Sequence, residues 1–280
     1  MRELLSELER VLPAAERQWL EDAGARAERE GASAVRTLLP ALPRRLGRQG
    51  FATGLRRIGA ATIDLGAWRR CDVAAAALLS LARADDGVLL DLHAHGDLEE
   101  RTMVLRAATV REPSAATAVL FAEVQRSNAV PHFEALACDN DLAARACGRI
   151  EGFGREQLDR MVLKAAFLGL RLARLFGVER RANEELSRML QDLATEREAA
   201  GRPVWPDTAL LIARAPVPGT VARLLGDLEH GDDERRAAAA VALGLLGRAD
   251  LLPFVRERLP REPKPAIRDA LAQTIAALGG

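Results

Sequence analysis

Tyrosine is missing from this chain, and aromatic residues of any kind make up only 4% of its 280 positions. Pleated strands favour aromatic and β-branched residues, and here the β-branched ones seldom cluster or alternate. Alanine, leucine, arginine and glutamate dominate instead, all good helix formers, so an all-α protein is expected. Cysteine is scarce as well. Cys71, Cys138 and Cys147 are odd in number and lack Cys-x-x-Cys spacing, which argues against a disulfide framework or a structural zinc site. Free thiols, buried or half-buried, suit a reducing cytoplasm.

No sign of charge is in excess: 40 basic residues meet 40 acidic ones. No global field therefore draws nucleic acid or an anionic membrane, and binding of either kind would have to be local. Long apolar runs are also absent. "VAAAALLSLA", from Val73 to Ala82, has ten residues, about half of the roughly 20 that a membrane-spanning helix needs. The opening "MRELLSELER" is charged from its second residue and does not read as a secretory signal, so a cytoplasmic location is expected. There is no phosphate-binding Gly-x-x-x-x-Gly-Lys-Ser/Thr loop, no His-Glu-x-x-His and no Gly-x-Ser-x-Gly. "GFGREQ" at Gly152 is too short a fragment of a dinucleotide loop. No cofactor is expected.

What is present reads as helix after helix. Leu4, Leu5, Leu8, Val11 and Leu12 recur at helical spacing, and Pro13 suits the first turn of a second helix. Gly31 reads as a stop and Ser33 as a new N-cap. The basic stretch from Pro40 to Gly59 is rich in breakers. From Asp72 onward "DVAAAALLSLAR", "DGVLLDLHA" and "DLEERTMVLRAAT" each open on an aspartate, which suits the positive end of a helix.

Two near-identical phrases, "HGDLEER" from His95 and "HGDDERR" from His230, then read as one reused corner. The glycine ends a helix and the aspartate caps the next, with Glu100 completing a capping box on Asp97. Near the second copy the chain repeats itself. Leu224 and Leu228 align with Val255 and Leu259 at an offset of 31, and Arg236, Ala238, Leu243, Leu246 and Gly247 align with Arg268, Ala270, Ile275, Leu278 and Gly279 at an offset of 32. These look like two short HEAT-like repeats occupying residues 213–280, with an arginine early in each second helix. Before them the prolines at 203, 206, 216 and 218 mark a candidate boundary, with the short helix "DTALLIARA" bridging it. Two repeats seldom stand alone, so an α-solenoid of antiparallel helix pairs is expected.

From Arg126 to Arg202 the words become distinctive. Arg126 and Asn128, then Phe133, Glu134 and Ala135, then Asn140 come in order; "MVLKAAFLG" around Lys164, "RAN" at Arg181 to Asn183, Glu196 with Arg197, and "AAGR" follow. This series resembles the EboA family, which has Arg-Thr-Asn, Phe-Glu-Ala and Asn-Pro-Tyr-Pro-Ala elements in those places. The chain departs from it at "NDLAA", and at Leu158, Asp159 and Arg160 where the family has Trp-Asn-Gln. The resemblance is carried by residues 75 to 212 and implies an EboA-like helical domain over residues 1–212. It implies a non-catalytic scaffold or binding protein of a bacterial gene cluster, one that assists processing or export of a secondary metabolite such as a scytonemin precursor. Its expected partners are proteins of that cluster or a small hydrophobic metabolite, with peripheral contact to a membrane enzyme; the balanced charge and the lack of a recognised motif separately argue for no nucleic acid.

Candidate site residues are weighed against plainer roles. Arg126, Asn128, Asn140 and Asn183 lie near expected helix ends, where asparagine caps backbone groups; the resemblance adds Glu134 and Lys164 as charged members of a ligand or partner groove. Gln157, Arg160, Lys164 and Arg171 fall on one polar stripe if the helix runs unbroken. Arg44, Arg45, Arg48, Arg56 and Arg57 could grip phosphates, with only Phe51 as an aromatic companion. One enzymatic alternative remains. If "LLDLHAHGD" were a strand, Asp91, His93 and His95 could ligate a metal as in amidohydrolases; the plain reading is a helix and a turn. A carrier of a small hydrophobic metabolite is the other alternative.

Overall fold

A computed structural model of the chain describes residues 1–205 and 207–279; Pro206, one of the boundary prolines, lies outside the described residues. Two compact units divide the chain: residues 1–161 with 174–176, and residues 162–173 with 177–280.

The longest apolar run becomes the spine of the first unit. Here α1 (Arg2–Val11), α2 (Ala14–Glu30), α3 (Ala32–Leu38) and α4 (Leu42–Leu46) lead to α5 (Arg70–Leu81), in which every side chain from Cys71 to Leu79 is buried. A helix apolar on all sides must be enclosed, and α5 packs against each of the four preceding helices. Its alanines, Ala74 to Ala77, hold no bulk that would keep neighbours away. Gly31, at φ +62, both ends α2 and caps α3, so Ser33 lies inside α3 and is not the N-cap expected of it. Glycine adopts that left-handed conformation without the steric penalty of a Cβ.

The all-α expectation needs one correction. Within the breaker-rich stretch, β1 (Leu55–Ile58) pairs antiparallel with β2 (Ala61–Asp64), Ile58 standing opposite Ala61. Gly59, at φ +60, makes the tight turn between them, a use of glycine that a reading for helix breakers overlooks. Ile58, Ala61 and Ile63 turn inward and are buried.

After α5 come α6 (Asp86–His95) and α7 (Leu98–Thr109). Asp72 is not the N-cap of α5 but its third residue, accepting from the Arg69 amide at 2.8 Å. At α6 the cap is Asp85, one residue earlier than expected. The corner at Gly96 and Asp97 is built as the repeated phrase predicts. Asp97 Oδ1 accepts from the Glu100 amide at 2.9 Å, and Glu100 Oε2 accepts from the Asp97 amide at 2.8 Å.

A Cβ on Gly96 would stand 2.8 Å from the Leu92 carbonyl oxygen and 2.9 Å from Glu100 Cβ, whereas at Gly231 it would meet nothing within 4 Å. Gly96→Ala should therefore lose about 1–3 kcal/mol through overpacking, and Gly231→Ala should change stability by less than about 0.5 kcal/mol. Paired thermal melts check the contrast, and equal shifts would refute it.

The first unit continues with α8 (Ala115–Arg126), α9 (Val130–Ala137), α10 (Leu142–Ala146) and the start of α11 (Arg155–Leu168). Phe121 stacks on Phe153 with centroids 4.3 Å apart. Gly169, at φ +88, follows the end of α11. Arg171 thus lies beyond that helix, and the polar stripe expected along it stops at Lys164.

The second unit holds the end of α11, then α12 (Glu184–Ala199), α13 (Thr208–Arg214), α14 (Thr220–Leu228), α15 (Asp233–Leu245), α16 (Leu252–Arg258) and α17 (Pro265–Gly279). In it α14 packs on α15, α16 on α17, and α15 on α17. Thr274 Oγ1 donates to the Ala240 carbonyl at 2.8 Å, where α15 and α17 approach closely.

The arginine common to the repeats does one task in every copy. Arg236 Nη1 donates to the His230 and Gly231 carbonyls, both at 3.0 Å, and Arg268 Nη1 to those of Glu262 and Pro263 at 3.0 and 3.1 Å. Arg101, the matching residue of the first phrase, reaches the Gly96 and Ala94 carbonyls at 2.8 and 2.9 Å. Carbonyls at a helix end lack intrahelical partners and sit at the negative pole of the dipole; a guanidinium satisfies both needs. Among the described residues no helix is long and apolar enough to cross a membrane.

Candidate functional site

In the first unit, two of the residues that resemble the family motifs, Glu134 and Asn140, meet on one narrow strip of backbone. Asn140 bridges Ile63 of β2 on one side and Leu175 on the other. Its side chain is buried and spent on the chain itself: Nδ2 donates to the Leu136 and Cys138 carbonyls at 3.2 and 2.7 Å, and Oδ1 accepts from the Leu142 amide at 2.9 Å. A short polar side chain that serves three backbone groups replaces the ladder bonds that a bend interrupts.

The preceding residue, Asp139, has φ +60, uncommon for a residue with a side chain. Arg174 holds it there. Its Nε and Nη2 donate to the two carboxylate oxygens of Asp139 at 3.0 and 2.6 Å, while Nη1 donates to Glu134 Oε1 at 2.6 Å. The bond to Asp139 lifts the Arg174 pKa above its ordinary value, against the opposing effect of burial. Bidentate pairing of this kind fixes geometry as well as charge. Glu134 is thus committed to an arginine 40 residues away, and no spacing in the sequence announces that partnership. Beside it, burial pushes the Cys138 thiol up to about 12, so it stays protonated and unreactive.

Arg126, exposed, pairs with Glu123 of its own helix. Asn128 is exposed in the connection between α8 and α9. In the second unit Asn183 is the N-cap of α12, its Oδ1 accepting from the Leu186 amide at 2.9 Å. The basic cluster is divided: Arg45 lies 5.8 Å from the Trp19 ring, Arg48 is 3.6 Å from Glu99, and Arg56 and Arg57 sit on β1.

Two more motif segments meet in the second unit. Arg197 stacks on the Trp205 ring at 4.0 Å, donates to the Pro203 carbonyl at 2.8 Å and reaches the Phe167 carbonyl at 3.4 Å. A Cβ at Gly169 would stand 3.6 Å from Trp205. Lys164 lies 5.7 Å from the centroid of Phe167, which is 55% exposed. Burial and the charge of Arg202 hold the Arg197 pKa below its ordinary value. Two aromatic rings, each attended by a cation, are thus tied to one another through Arg197 and the backbone at Phe167 and Gly169. Such rings offer area at low entropic cost, and the cations select electron-rich or anionic matter. Trp205 was not singled out in the sequence; its signal, an aromatic two residues from "GRP", is too common to find it.

The amidohydrolase alternative needs a strand where the structure has a helix. Asp91, His93 and His95 all lie on α6, and residues two apart on a helix point to different faces. His95 Nδ1 lies 3.0 Å from the Asp91 carbonyl oxygen. His93 is buried with its ring 6.4 Å from that of His132, whose Nε2 meets the Leu98 carbonyl at 3.1 Å.

Burial, then the charges of Arg101 and His132, hold the His93 imidazole below its ordinary pKa, with Glu123 acting in the other direction. The unfolded chain consequently takes up that proton first, and stability rises with pH through the ordinary histidine range near about 6.5. Lowering the pH from about 7.5 to about 5.5 should reduce the urea midpoint, and His93→Leu should flatten that slope. An unchanged slope in the variant would disprove the assignment.

The chain matches no curated protein and no solved structure. A family model described as "Metabolite traffic protein EboA" matches residues 1–213 of the 280. The chain belongs to the EboA family.

Proposed function

We propose that this chain is a non-catalytic binding protein of metabolite traffic, holding a metabolite or a partner protein on the cationic–aromatic surface around Phe167, Arg197 and Trp205. The family match carries the reading. Support comes from the meeting of two motif segments at that surface, Lys164 to Gly169 and Arg197 to Arg202. Lys164 and Arg197 are its charged members; Glu134, Asn140 and Asn183 keep the scaffold in shape. The helix pairs α14–α15 and α16–α17 stack as HEAT-like repeats and extend a solenoid of helix pairs. The cargo is a secondary-metabolite precursor of the scytonemin kind.

Binding and positioning without bond chemistry predict a ligand that survives isolation. Native mass spectrometry of protein freshly purified from its host should reveal a bound small molecule or partner. Phe167→Ala and Lys164→Ala should each reduce occupancy with the helical circular dichroism unchanged. Empty wild-type protein, together with normal function of the gene cluster in both variants, would refute the reading.

A further inference from the structure

An open polar cleft of about 500 Å³ lies wholly within the second unit, lined by Thr195 and Glu198 of α12, Arg223, Gly226 and Asp227 of α14, and Arg235 of α15, with Thr195, Glu198 and Gly226 exposed to solvent. Its charges are arranged around one carboxylate. Arg223 Nη1 reaches both Glu198 oxygens at 3.2 Å, and Arg235 Nη2 donates to Glu198 Oε1 at 2.6 Å. Arg235 also pairs with Asp227, and Arg223 Nη2 donates to Thr195 Oγ1 at 2.6 Å.

The two arginines are built in, with side chains 15% and 9% exposed, while the carboxylate they share is 36% exposed. Glu198 stands one residue from the end of α12, where the helix dipole disfavours an anion. The guanidiniums outweigh that penalty. Asp192, also on the wall, is paired outside the cleft with Arg188 at 3.2 Å. Gly226 sits inside α14, where glycine weakens a helix, and a Cβ there would meet nothing within 4 Å. Gly226 is exposed, so a side chain there would stand over the open floor of the cleft.

We propose that this cleft binds a small oxyanion-bearing metabolite, whose carboxylate or phosphate group takes the place of the Glu198 carboxylate between Arg223 and Arg235. When Glu198 turns out to solvent, two guanidiniums face the single remaining carboxylate of Asp227, and the incoming anion restores the balance. Glu198 is in this sense an internal placeholder that the ligand displaces. Arg223, Gly226, Asp227 and Arg235 all lie beyond residue 213, where the family match ends. The site is therefore supplied largely by the C-terminal extension, and it is independent of the surface around Trp205.

Calorimetric titration of the full-length chain, with inorganic phosphate in one arm and malonate in the other at constant ionic strength, tests this and tells the two anion sources apart. Saturable binding of at least one anion is expected. Glu198→Gln should bind it about tenfold tighter, because the competing carboxylate no longer occupies the position. Gly226→Leu should abolish binding with the melting temperature unchanged or raised, since leucine is the better helix former. Binding seen only in Glu198→Gln would mean that Glu198 is a permanent structural partner and would overturn the proposal. Absence of binding in both wild type and Glu198→Gln, or undiminished binding in Gly226→Leu, would overturn the proposal.

Discussion

Asp72→Ala is expected to destabilise the chain by about 3–5 kcal/mol, the loss typical when one member of a buried ion pair is removed. Asp72 is 0% exposed. Its carboxylate accepts from the Arg69 amide at 2.8 Å and from Arg69 Nε and Nη2 at 3.0 and 2.9 Å. Arg106 Nε lies 3.5 Å away, and no other carboxylate stands within ion-pair distance of Arg106 among the described residues. Burial already holds the Arg106 pKa below its ordinary value, with Asp72 acting against that. Alanine would leave a buried guanidinium without a countercharge and an orphaned helix amide, each unfavourable in itself. Total stabilities run to only about 5–15 kcal/mol, so the variant should unfold at a markedly lower urea concentration. Arg69 keeps Glu99, to which its Nη1 donates at 2.6 Å; a loss under about 1 kcal/mol would show that Arg106 finds water or another partner.

Glu262→Ala should have an effect of similar size, about 3–5 kcal/mol, confined to the C-terminal helices. Glu262 is 2% exposed. It accepts from Arg236 Nε and Nη2 at 2.9 and 3.1 Å, from Arg258 Nη2 at 2.7 Å and from the Lys264 amide at 3.0 Å. Arg236 and Arg258 are themselves buried, so one truncation removes the buried carboxylate they share at the joint between α16 and α17, leaving Arg236 with half-exposed Asp233 and Arg258 with half-exposed Glu229. Hydrogen exchange should show protection lost over residues 252–279 and retained in α5. Uniform loss across the chain would indicate that the terminal helices do not open on their own. Glu262→Gln, which keeps the shape and the acceptor, should lose less.

Legibility followed distance along the chain. The spacing of Leu4 and Leu8 predicts the buried face of α1, and both are buried. The box of Asp97 and Glu100 is readable because its partners are three residues apart. The hairpin at Gly59 was hidden, since a tight turn and a helix stop use the same residue. The motif residues Glu134 and Asn140 were found by resemblance, yet their work depends on Arg174 and Leu175, which no local pattern links to them.

By itself the sequence determined the helical class, the aspartate caps of the repeated phrase and the paired terminal helices, because capping and amphipathic spacing act within a few residues; Gly96 ends α6 as expected, whereas α14 ends at Leu228, before Gly231. All but two of the 40 basic residues are arginine, Lys164 and Lys264 being the exceptions; this foreshadows the many guanidinium bonds to backbone but names none of their targets. Only the tertiary structure decided that Asp72 is a buried countercharge, that Asn140 joins two backbone segments, and that Arg223 and Arg235 share Glu198. Those pairings form through space, between residues whose separation along the chain leaves no periodic trace, and their strength comes from the burial that folding itself creates.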